Sequence, residues 1–215
     1  MGSVAIVALI CAAVVSGVIQ LNLASKRLGP RPATLVLAGV TAIVSVAAEI
    51  APELLDLLRR DPIRLVAGQW WRIITPLFAQ DGGWAGLVFN LVCLVSLGFV
   101  VECRWGWRVL VPVYLGTGLI GEIVAYTLIQ HQGFAGNSVA NLSLAGLLAI
   151  TGVLTSDVRA RLSGAVALVA GLFLVVTVDL HAVGFVAGIL AAIPLRLIAG
   201  TKKGVTAEAI TPSGS

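Results

Sequence analysis

The sequence predicts an all-α integral membrane protein, a bundle of about seven transmembrane helices with little soluble mass on either side. Three observations lead there. Of 215 residues, 59% are apolar and only 11% charged, against roughly 25% charged in ordinary soluble domains. Mean hydropathy is +1.04, and the apolar residues gather into runs long enough to cross a hydrocarbon core of about 30 Å. None of these runs alternates with period two. In lipid only helices and closed barrels satisfy every backbone group, and barrel strands would alternate.

The elements follow in order along the chain. Residues 3–23 form the first span, too long for a typical signal-peptide core and preceded by no basic residue, so a retained helix is expected. Lys26 to Pro32 make a short basic turn. The second span covers 33–51. A linker at 52–83, containing GQWWRIITPLF, mixes Trp and Arg with apolar residues and suits the membrane interface. Further spans fall at 84–101, 109–129 and 138–155. The stretch 162–200 would reach about 58 Å as one helix, nearly twice the membrane core. It folds back at its polar break, Asp179–Leu180–His181, giving spans at 163–179 and 181–199. The polar residues that follow are expected to be disordered. The expected organisation is an N-terminal helix with its basic turn (1–32), a membrane domain (33–200) and a cytoplasmic tail (201–215).

Seven spans put alternate loops on opposite sides. One set holds Lys26, Arg27, Arg31, Arg104, Arg108, Arg159, Arg161, Arg196, Lys202 and Lys203; the other holds Arg59, Arg60, Arg64 and Arg72. That ten-to-four bias places the first set, and the C-terminus, in the cytoplasm. Dispersed in this way, the net charge of +4 reports orientation in a bilayer rather than a nucleic-acid partner. Cys11, Cys93 and Cys103 have no metal-like spacing, and an odd count beside apolar runs reads as packing rather than a disulfide framework.

Ionisable and strongly polar groups within a membrane bundle are costly and mark function by default. Asn90, Glu122, Ser138 and His181 stand out. The spans carrying Asn90, Ser138 and His181 all run inward. Asn90 lies about 9 Å below the outer boundary at 1.5 Å per residue, and the other two lie in first turns. A serine beside a histidine is the minimal pair for covalent acyl transfer, because a hydroxyl needs a base to take its proton. Ala145, Gly146 and Ala149 after Ser138, and Gly184 and Gly188 after His181, let two helices approach closely. The bland alternatives are a packing serine, an interhelical hydrogen bond from Asn90, and a solvated loop position for His131. Glu122 reads as a neutral packing acid or a hydrogen-bond partner.

These residues resemble those of the rhomboid intramembrane serine proteases over about 160 residues, from Arg31 to Leu197. GQWWRIITPLF is similar to the family's Trp-Arg element, carried by Trp71 and Arg72. FNLVCLVSLGFVVECRWG resembles its second core helix, with Asn90 at the family's asparagine and Glu102, Arg104 and Gly106 as its ExRxG ending. GNSVANLSLAG resembles the GxSG nucleophile element, with Gly136, Ser138 and Gly146. HAVGFVAG matches HxxGxxxG, with His181, Gly184 and Gly188. The resemblance implies a six-helix core, residues 3–23 being an additional helix. It implies hydrolysis of a transmembrane protein substrate near the outer boundary of, most simply, a bacterial cell membrane, with no metal or organic cofactor. Ser138 would be the nucleophile, His181 the base, and the Ser138 N–H and Asn90 side chain the oxyanion donors.

Three positions depart from the family pattern. Gly86 stands where an oxyanion histidine is usual, and Asn137 is a conceivable replacement donor. Val139 replaces the glycine after the nucleophile and is expected to crowd the imidazole. Leu142 replaces an aromatic residue. The departures keep open a weak or inactive rhomboid-like protein that binds other membrane helices. A small transporter, drawing on Glu122 and the glycine-rich helices, lacks any visible inverted repeat.

Overall fold

The structure, a computed structural model, describes residues 2–24, 29, 31–128 and 134–208, with side chains for all of these except 128 and 196–208. Among them are nine helices and no strand: α1 Gly2–Leu23, α2 Pro32–Ile50, α3 Pro52–Leu58, α4 Pro62–Val66, α5 Gly83–Trp105, α6 Trp107–Leu128, α7 Ser138–Val153, α8 Val158–Val176 and α9 His181–Glu208. Helices α1, α2, α5, α6 and α8 are long and apolar enough to cross a membrane, while α7 and the apolar part of α9 are shorter. His131 and most of the Lys26–Pro32 turn lie outside the described residues.

Local chemistry sets the helix ends. Pro32, Pro52 and Pro62 each open a helix, where the missing N–H costs nothing. Arg31 at the start of α2 offers no side-chain cap. Glu102 supplies one from α5, accepting from the Thr34 N–H at 2.8 Å, the Thr34 hydroxyl at 2.7 Å and the Ala33 N–H at 3.2 Å. The ExRxG ending therefore ties the foot of α5 to the head of α2. Arg104 stacks on Trp105 at 4.7 Å, and Gly106 takes φ +84°, a turn that a side chain would strain. The split of the last apolar stretch falls where expected, between Val176 and His181.

The 52–83 linker is a structured segment, as its composition led one to expect, and contains α3, α4 and two 3₁₀ turns, Trp70–Ile73 and Thr75–Leu77. One extent differs from the sequence expectation. Helix α9 runs on to Glu208, past an internal Pro194 and through residues expected to begin a disordered tail.

Helix α7 is the axis of the fold. It packs against α1, α5, α6, α8 and α9, and 13 of its 16 residues are buried. At about 24 Å it falls short of a 30 Å core. Alpha-helix α1 docks on it through polar contacts. Ser16 Oγ donates to the Ala160 carbonyl at 3.0 Å and Gln20 Nε2 to the Leu148 carbonyl at 3.2 Å. The outer face is apolar, with Ile43, Val169 and Val176 about 70% exposed, as lipid contact requires. Cys93 and Cys103 are buried as expected, whereas Cys11 is exposed on α1.

Candidate active site

A close, glycine-lined approach of α7 and α9 brings two first-turn residues together. A Cβ on Gly184 would fall 2.0 Å from the Val139 carbonyl oxygen, one on Gly188 1.9 Å from that of Ser143, and one on Gly146 2.2 Å from that of Phe185. Only glycine allows α7 and α9 to meet at these points. Ser138 and His181 open the two helices, and Ser138 Oγ lies 2.9 Å from His181 Nε2.

Val139 packs between α6 and α9: its Cγ1 would stand 2.4 Å from a Cβ on Gly121 and 2.9 Å from one on Gly184. The two glycines make room for the branch, so the β-branched residue is absorbed by packing. Leu142 is buried. At Gly86 a Cβ would meet nothing within 4 Å, so the usual histidine position is sterically open.

Asn90 belongs to a buried chain of amides. Its Nδ2 donates to Gln80 Oε1 at 2.8 Å, Gln80 Nε2 donates to Asn137 Oδ1 at 2.8 Å, and Asn137 Nδ2 donates to the Tyr114 hydroxyl at 2.7 Å. Gln80 and Asn137 are essentially fully buried. The chain sets the orientation of each amide, because every donor is matched to an acceptor in turn. It leaves one Nδ2 hydrogen on Asn90 uncommitted. Asn137 is thereby drawn into the scaffold. Gln80 and Ser138 both flank Gly136: a Cβ there would stand 3.3 Å from Gln80 Oε1 and 3.9 Å from Ser138 Oγ.

The segment before Ser138 is latched to the loop before α5. Gly136 N–H donates to the Pro76 carbonyl and Ala135 N–H to Asp81 Oδ2, both at 2.9 Å. Arg72 is 1% exposed. It donates from Nη1 to the Asp56 and Arg59 carbonyls and from Nε to Gln69 Oε1, each at 2.7 Å. Trp71 Nε1 reaches the Leu57 carbonyl at 3.3 Å. This pair braces the interface segment without touching the serine. Glu122 accepts both arms of Arg60, at 2.6 and 2.8 Å, in a buried, bidentate pair that ties the same segment to α6.

Sequence reasoning passed over two groups. Gln80 had no local pattern to mark it. Asp179 was read only as a polar break, yet its Oδ1 lies 2.5 Å from His181 Nδ1 and accepts the His181 backbone N–H at 2.9 Å. Spacing of i, i+2 before a base at a helix start was the available signal.

Comparison with known proteins points the same way as the geometry. Rhomboid-like protease 2 of Toxoplasma gondii is 32% identical over 117 residues, which are 49% of this chain and 40% of that protein. Rhomboid protease GluP of Bacillus subtilis (strain 168) is 33% identical over 84 residues, 39% of this chain and 16% of that protein. The chain spans less than half the length of these curated relatives. A family model described as the Rhomboid domain matches residues 67–197, more than half of the chain and a stretch that holds Gln80, Asn90, Asn137, Ser138, Asp179 and His181, and the chain belongs to the rhomboid family.

Proposed function

We propose that this protein is an intramembrane serine endopeptidase that cleaves transmembrane substrates near the extracytoplasmic boundary of the membrane. The observation that carries the reading is the 2.9 Å contact between Ser138 Oγ and His181 Nε2. It is made by the first residues of two helices packed through Gly146, Gly184 and Gly188.

The chemistry follows from that geometry. His181 Nε2 takes the Ser138 proton as Oγ attacks the scissile carbonyl carbon, giving a tetrahedral adduct with a negative oxygen. The Ser138 backbone N–H and the uncommitted Asn90 Nδ2 hydrogen are the donors for that oxygen, and one such donor is worth roughly 3–4 kcal/mol. The protonated imidazole then delivers its proton to the departing amine nitrogen, leaving an acyl-enzyme. Water, deprotonated by the same ring, releases the second product and restores Ser138. The His181 side chain is 28% exposed, which supports access for that water. The ten-to-four distribution of basic residues supports an extracytoplasmic location for the pair and a cytoplasmic C-terminus.

A second reading is favoured by Gly86: with one donor fewer than the family pattern, the fold binds membrane helices and cleaves them weakly or not at all. The two separate on reconstitution into liposomes with a reporter transmembrane helix. Cleavage lost in both Ser138→Ala and His181→Ala supports the protease. Binding of the reporter with no cleavage by the unaltered protein favours the second reading.

A further inference from the structure

The turn between α8 and α9 carries an acidic group that a two-residue mechanism leaves unused. Asp179 Oδ1 lies 2.5 Å from Nδ1 of His181, the ring nitrogen opposite the one facing Ser138. The Asp179 side chain is 29% exposed, so the contact is partly shielded from solvent.

The backbone that delivers this carboxylate is strained. Val178 has φ +54°, a conformation in which a β-branched residue is a genuine outlier. Its side chain is 88% exposed, so packing does not repay the strain. What the conformation secures is the placement of the next residue. Asp179 N–H donates to the Leu174 carbonyl at 3.0 Å, and the Asp179 carbonyl accepts from the Ala182 N–H at 2.9 Å. The carboxylate is then fixed against both the backbone and the ring of His181. Strain held at one turn beside a reactive pair is a signature of a constrained site.

A simpler role exists for Asp179. By accepting the His181 N–H it caps α9, as aspartates commonly do at helix starts. Capping requires the backbone contact alone. The ring contact is additional and has a separate chemical consequence. An acceptor at Nδ1 fixes the neutral tautomer with its proton there, which leaves the Nε2 lone pair directed at the Ser138 hydroxyl. When Nε2 takes the serine proton, the adjacent carboxylate stabilises the imidazolium without itself being protonated.

We propose that Asp179 is a positioning residue, which converts the serine–histidine pair into a serine–histidine–aspartate constellation. The proposal rests on the protease reading of Ser138 and His181. Asp179 acts through the imidazole and touches no substrate.

Two variants separate positioning from capping. Asp179→Asn and Asp179→Ser both retain a side chain that caps helices well. The first replaces the charge by a neutral amide, and the second is too short to reach the ring. The full-length protein in detergent micelles is labelled with ¹⁵N-histidine. Because the chain has only two histidines, a His131→Gln background leaves the His181 ring alone in the spectrum. The Nδ1–H tautomer is expected in the unaltered Asp179 form, with the Nε2–H form gaining population in both variants. The rate of Ser138 labelling by a fluorophosphonate is expected to fall about 10²-fold, less than the 10⁴ seen when a fully buried triad aspartate is replaced. Thermal unfolding is expected to stay close to that of the parent. Unchanged tautomer and unchanged labelling in both variants would overturn the proposal and leave Asp179 as a cap. If the unaltered protein does not label at all, it is the protease reading that falls, and the tautomer spectra still decide the positioning role.

Discussion

Replacing Gly184 by alanine tests whether the Ser138–His181 contact depends on backbone-to-backbone approach of α7 and α9. A Cβ at this position would lie 2.0 Å from the Val139 carbonyl oxygen. Ordinary contact begins near 3.4 Å, so the helices must separate locally by about 1.4 Å. The obstructing carbonyl belongs to the residue after Ser138, and Gly184 lies one turn beyond His181. Carried to the pair, the separation lengthens the 2.9 Å contact to about 4 Å, beyond hydrogen-bond reach. A misplacement of about 1 Å costs on the order of 10² in rate. Loss of general-base help costs 10² to 10⁴. The expected result is at least a hundredfold loss of fluorophosphonate labelling and of reporter cleavage. The overpacking itself costs about 1–3 kcal/mol, so the melting temperature falls while the protein stays folded. Gly39→Ala is the control, since a Cβ there meets nothing within 4 Å. Parent-like labelling by Gly184→Ala, with an unchanged melting temperature, would refute the close-approach argument.

Two further outcomes are expected. Gly86→His puts an imidazole where a Cβ meets no atom within 4 Å; one recovered oxyanion donor would raise kcat by about tenfold or more, read from reporter cleavage at saturating substrate, and a fall in kcat would argue against a missing donor. Glu122→Gln leaves the Arg60 guanidinium, 5% exposed, without its counter-charge; breaking such a buried pair costs about 3–5 kcal/mol, so a thermal melt in micelles should fall sharply, and an unshifted melt would show the pair to be dispensable.

The fold was largely legible because lipid imposes one strong rule, that spans are long, apolar and helical. Hydropathy located the seven apolar helices. The meeting of Ser138 and His181 was legible for a related reason. Small residues at helical spacing on both spans announce close packing, and the structure seats Gly146, Gly184 and Gly188 against backbone oxygens.

What escaped depends on where side chains from distant segments happen to meet. Gln80 lies in an irregular stretch with no period, and its partners come from α5 and from the residue before α7. Glu122 showed no role until Arg60 arrived from the interface segment. The β-branch of Val139, beside the nucleophile, is received in space left by two glycines that are distant in sequence, Gly121 on α6 and Gly184 on α9. Asp179 meets the ring from a turn in which Val178 adopts a positive φ, which a β-branched residue does not announce.

The central claim is that the Ser138 hydroxyl is a nucleophile activated by His181. Its most direct test is mass-spectrometric mapping of the covalent adduct after fluorophosphonate treatment of the full-length protein in micelles. The account predicts one adduct, on Ser138, lost when His181 is replaced by alanine. No adduct under conditions that label a control serine hydrolase, or an adduct on Ser138 that forms equally fast without His181, would contradict it.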